Sequence, residues 1–117
     1  MAFDSQLELL SLFYMDRSQH ILSQVKNRIH NFDPSARIFL FGSRARDDYR
    51  DDSDWDFLIL TNRRITQDLK NRISDLLFET ELDTDQVLTS IIQNVNTWEK
   101  FSNTPIYRNV KKDGIEI

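Results

Sequence analysis

A chain of 117 residues that is 39% hydrophobic and 29% charged has enough apolar material for one core, but too little length for a catalytic domain plus a separate substrate domain. No apolar run approaches the ~18 residues of a membrane span, and a formal net charge of −4 argues against a protein that grips nucleic acid through its phosphates. Zero cysteines exclude disulfides and thiolate metal sites. Membrane insertion and stable nucleic-acid binding are therefore not expected. Met1-Ala2-Phe3-Asp4-Ser5-Gln6 lacks a basic stretch ahead of an apolar one, so a cytoplasmic location is the expectation.

Leu7, Leu10 and Phe13, with Leu9 and Leu12 beside them, predict a first helix from Ser5 to about Met15. Ser18 reads as the N-cap of a second, whose apolar stripe is Ile21, Leu22, Val25 and Ile29 and which stops at Asp33-Pro34-Ser35. His20 and His30 lie ten apart, a poor spacing for metal ligands and an ordinary one for surface or helix-end residues. Ala36 to Phe41 is short, apolar and bounded by turn signals, which predicts a strand covered on both faces. Gly42 permits close backbone approach, and Ser43 can cap the turn that follows, whose free N–H groups would face an anion.

Arg44, Arg46 and Arg50 are then crowded against Asp47, Asp48, Asp51, Asp52, Asp54 and Asp56. Charge runs of this kind are usually solvated loops. The apolar run Trp55 to Leu60 argues otherwise here, because residues i and i+2 of a strand share a face, so Asp54 and Asp56 project together while Trp55, Phe57 and Ile59 enter the core. A lone carboxylate inside such a run is costly unless it is paired or binds a metal.

Ile65, Leu69, Ile73, Leu76 and Leu77 predict an amphipathic helix over 65–78, and Gln86 to Ile92 predicts another strand. Glu79, Glu81, Asp83 and Asp85 precede that strand at alternate positions; if the segment is extended they share a side. Asp85 is preferred as a third acid because it lies nearest the apolar run, with Asp83 as the alternative. Asn96 can cap a short helix carrying Trp98 and Phe101, and Thr104-Pro105 opens another through about Val110. Asp113-Gly114 ends it, leaving Ile115-Glu116-Ile117 as a tail.

Gly42-Ser43, ten intervening residues and Asp54-Trp55-Asp56, within Leu40-Phe41-Gly42-Ser43-Arg44-Ala45-Arg46 and Ser53-Asp54-Trp55-Asp56-Phe57-Leu58-Ile59, resemble the nucleotidyltransferase superfamily founded on DNA polymerase beta, in its minimal form. The resemblance implies an α/β (α+β) fold, a small mixed β-sheet flanked by helices, in one domain over 1–117 with residues 1–17 as an additional N-terminal helix. It implies a pair of Mg2+ ions, or Mn2+, held by Asp54, Asp56 and a third acid, Asp85 or Asp83, that also acts as general base. Gly42, Ser43, Arg44 and Arg46 would contact the phosphates of an NTP, expected to be ATP. The family often carries a glycine after the second arginine, where this chain has Asp47.

Stand-alone minimal members commonly accompany a small helical protein of the HEPN class, which some adenylylate as antitoxins. Adenylylation of such a partner is therefore the first expectation. A non-catalytic binding module that neutralises the partner by docking, and an enzyme with a small-molecule acceptor, are the alternatives. Homo-oligomerisation is left open.

Overall fold

The computed structural model describes the backbone of residues 2–117 and the side chains of residues 17–117. In strand β2 (Trp55–Thr61) every residue except Asp56 is buried, so the strand needs a cover on both faces. Trp55, Phe57 and Ile59 face one way, against Ile38 and Leu40 of β1 (Arg37–Phe41). The same core takes in Ile21, Val25 and Ile29 of helix α1 (Ala2–Phe32) and Leu69, Ile73 and Leu77 of α3 (Gln67–Thr84), two stripes of side chains one turn apart. Leu58 and Leu60 face the other way, onto Trp98 of a 3-10 turn (Trp98–Phe101) and Val110 of α4 (Pro105–Asp113). The result is a mixed sheet flanked by helices, the expected α/β architecture.

The sheet order is β3-β2-β1-β4, with β3 spanning Leu88–Asn94 and β4 Ile115–Glu116. β1 runs antiparallel to both β2 and β4, whereas β2 and β3 are parallel and joined through α3. Among the described residues four α-helical segments complete the order, the shortest being α2 (Ser43–Arg46) between β1 and β2.

Three expectations are corrected here. The two predicted N-terminal helices are one: α1 runs unbroken from Ala2 to Phe32, and Ser18 lies inside it rather than at a cap. No glycine or proline interrupts residues 2–32, so nothing local stops the helix. The predicted stripe of Leu7, Leu10 and Phe13 lies outside the described side chains. The acidic segment Glu79 to Asp85 is helical to Thr84 rather than extended, because α3 continues past its predicted end at Phe78. Arg28 of α1 holds this continuation, donating to Thr80 Oγ1 at 2.7 Å and pairing with Asp83 at 2.5 Å.

The last correction is that the C-terminal residues are a strand and not a tail. β4 pairs with β1, the Ile117 N–H donates to the Ile38 carbonyl, and Arg37 forks onto Glu116 at 2.9 and 3.0 Å. Thr104 and Pro105 behave as predicted: the threonine caps α4 through the Tyr107 N–H and proline occupies its first turn. Among the described residues, no helix is long and apolar enough to cross a membrane.

Candidate active site

The functional candidates gather at one end of the sheet, where β1 stops and β2 and β3 begin. Gly42 makes the turn possible. Its φ of 75° and ψ of −158° lie where side-chain-bearing residues are strained, and a Cβ at this position would run into Oδ2 of Asp56. The Gly42 carbonyl accepts from the Ala45 and Arg46 N–H groups, both at 3.1 Å, and so starts α2. Gly42 is thus the N-cap, and Ser43 is the first residue of α2 rather than its cap, contrary to the capping role expected for it.

Asp47 ends α2 in the left-handed region, φ 63° and ψ 28°, with its N–H on the Ser43 carbonyl. Glycine adopts such torsions freely, and aspartate is among the residues that tolerate them. The departure from the family pattern therefore preserves the turn.

Arg44, for which a phosphate contact is expected, is engaged within the fold. Its Nη2 donates to the carbonyls of Asp51 and Ser53 at 3.1 and 3.0 Å, and its Nε adds a longer contact to Ser53. The guanidinium also lies over the rings of Tyr49 and Trp55, 4.2 and 4.5 Å from their centroids. Arg44 clamps the acidic loop 47–54 onto the start of β2. Arg46 stays at the surface, paired with Asp48 at 3.2 Å, where a phosphate could compete for it.

Asp54 is exposed and Asp56 half-buried. Both follow the row Leu60, Leu58 along one face of β2, and the row turns from apolar to acidic where the cover of Trp98 and Val110 ends. Asp56 pairs in register with Phe41 of β1 and with Thr89 of β3. Thr89 Oγ1 donates to Asp56 Oδ1 at 2.5 Å, and the other oxygen is the one set against Gly42. The glycine turn and the acidic strand thus touch, as their sequence spacing suggested.

The structure does not gather the third acid with them. Asp83 is committed to Arg28, and Asp85 is the left-handed C-cap of α3, φ 55°, ahead of the strand. Among the described residues, no three His, Cys, Asp or Glu side chains cluster so as to hold a metal ion. Thr89 is the residue that sequence reasoning missed. Alternation would have put it on a face with Val87 and Ile91, but only the pairing register sets it opposite Asp56.

Comparison with known proteins meets this geometry. A family model described as a nucleotidyltransferase domain matches residues 22–117, which includes every element from the last third of α1 to β4. This chain belongs to the nucleotidyltransferase domain family. A Methanocaldococcus jannaschii protein, provisionally named a protein adenylyltransferase, is 33% identical over 85 residues, covering 73% of this chain and 81% of its own length. The mixed four-stranded sheet with helices on both faces agrees with the polymerase-beta-like fold, and in this nucleotidyltransferase the Gly-Ser turn and the Asp-x-Asp strand are neighbours in space.

Proposed function

We propose that this nucleotidyltransferase moves AMP from ATP to a hydroxyl group of a partner protein, in the manner of an antitoxin acting on a small helical HEPN-type partner. The observation that carries the reading is Asp56, with one oxygen anchored by Thr89 and the other set against the glycine turn, beside the exposed Asp54. Two hard-oxygen carboxylates at an open strand end suit Mg2+, which is commonly held by one or two carboxylates together with substrate phosphates. When bound, such an ion offsets phosphate charge and lowers the pKa of a nearby hydroxyl.

The chain's own residues supply the rest. Gly42 leaves room for a phosphate against the backbone, Ser43 offers a hydroxyl not used in capping, and Arg46 can exchange its surface partner for phosphate charge. In the reaction, the acceptor oxygen bonds to the α-phosphorus, the bond from that phosphorus to the bridging oxygen breaks, and pyrophosphate leaves. The hydroxyl proton passes to solvent or to a basic group on the acceptor protein. A protein acceptor is supported by the name of the Methanocaldococcus relative. It is also supported by Phe78 and Leu82, one turn apart on α3 and 56% and 69% exposed, which give a partner an apolar foothold.

A second reading, neutralisation by docking alone, is favoured by one observation: two acids rather than three at the strand end. One experiment separates them. The protein is incubated with labelled ATP, Mg2+ and the protein encoded beside it, with Asp54→Asn/Asp56→Asn as the control. Label on the partner only with the unaltered acids supports transfer; neutralisation that survives the double variant without label supports docking.

A further inference from the structure

Strand pairing puts Thr89 directly beside Asp56 on the same face, and its hydroxyl holds Oδ1 at 2.5 Å. Its neighbours on that face of β3 are Val87, exposed, and Ile91, packed under the sheet. The position next to the acid pair on the third strand is therefore neutral and carries a hydrogen-bond donor. Resting on the nucleotidyl-transfer reading above, we propose that Thr89 is a positioning residue that orients Asp56 and keeps the site at two carboxylates, so that a divalent ion binds together with nucleotide phosphates and only weakly alone.

The physical case has two parts. A carboxylate on a strand can turn about its side-chain torsions; the Thr89 hydroxyl removes that freedom and leaves Oδ2 as the oxygen presented beside the Gly42 turn. Divalent-ion affinity at oxygen sites also follows the number of charged ligands, so a site lacking a third carboxylate depends on the triphosphate for the missing negative charge. Binding of ion and nucleotide must then strengthen each other equally, as linkage requires.

The test is titration of Mn2+, followed by its paramagnetic resonance signal, with and without a non-hydrolysable ATP analogue. The unaltered protein should bind Mn2+ weakly alone and at least about tenfold more tightly with the analogue. Thr89→Val, which keeps the shape and removes the donor, should lower affinity in the presence of the analogue by roughly 10–100-fold, and Thr89→Ser should restore most of it. Thr89→Asp should gain about tenfold or more for Mn2+ without nucleotide. Circular dichroism establishes that each variant is folded. If folded Thr89→Val matches the unaltered protein, or folded Thr89→Asp gains nothing, the role of Thr89 is overturned. Asp54→Asn/Asp56→Asn separates the two levels. If this double variant keeps full Mn2+-nucleotide binding, the site reading itself fails, whereas loss in the double variant with no effect at Thr89 sinks only the inference about Thr89.

Discussion

Strand β2 has a carboxylate environment at each end, and the two are opposites. At the Thr61 end, Asp33 is buried, and both its oxygens are used. Oδ1 accepts from the Ser35 N–H and hydroxyl, Oδ2 accepts from Thr61 Oγ1, and Arg63 lies 3.7 Å away. Burial pushes the Asp33 carboxyl up, but the bonds from Ser35 and Thr61 and the charge of Arg63 outweigh it and hold the group below the ordinary carboxylate value. At the other end Asp56 receives one hydroxyl and Asp54 lies open. The lesson is that an acid beside a core strand does not by itself announce a site. A carboxylate saturated by its own fold is structural; one left with an oxygen free beside a glycine turn is available to a ligand.

The strongest way to break this contrast is to neutralise each end in turn. Asp54→Asn/Asp56→Asn should cut transfer by roughly 10²–10³-fold or more, with little change in thermal midpoint, since one hydrogen bond is at stake in the fold. Asp33→Asn should do the reverse, costing about 2–4 kcal/mol in denaturant unfolding while sparing transfer per folded molecule. A stable Asp33→Asn protein without activity would invert the assignment.

Gly42→Ala comes next. The left-handed torsion alone should cost about 1–3 kcal/mol, and the collision with Asp56 should displace that carboxylate, so calorimetry and transfer should fall together. Arg44→Ala should loosen the acidic loop at about 1–2 kcal/mol, and Arg44→Lys should fail to restore it because lysine cannot fork onto two carbonyls while stacking on Tyr49 and Trp55.

A pH series sharpens the comparison further. Asp33 has a lowered native pKa, so its stabilisation is complete above the unfolded carboxylate value of ~3.9 and is lost as pH falls through the lower native value. Thermal midpoints followed downward from neutral pH should fall below that point, and Asp33→Asn should flatten this part of the fall. The smallest effect belongs to Asp47→Gly: relief of the left-handed torsion and greater freedom of the unfolded chain oppose each other, leaving a net change within about 1 kcal/mol.

Local chemistry was enough to determine much of this protein. Hydrophobic alternation marked β2 and its buried Trp55, Phe57 and Ile59, turn signals bounded β1, and the Gly-Ser turn and the Asp-x-Asp pair marked the candidate end of the sheet, because strand parity and glycine torsions act over a few residues. The continuation of α3 through Glu79 and Glu81 and the pairing of Ile115-Glu116 with β1 depended on partners distant in sequence. So did the clamp role of Arg44, which reaches carbonyls seven and nine residues on. Above all, the neighbour of Asp56 was decided in three dimensions. Parity sorts the residues of β3 into two faces but does not choose a register, and the parallel register of β3 on β2 placed Thr89 where an acid was sought.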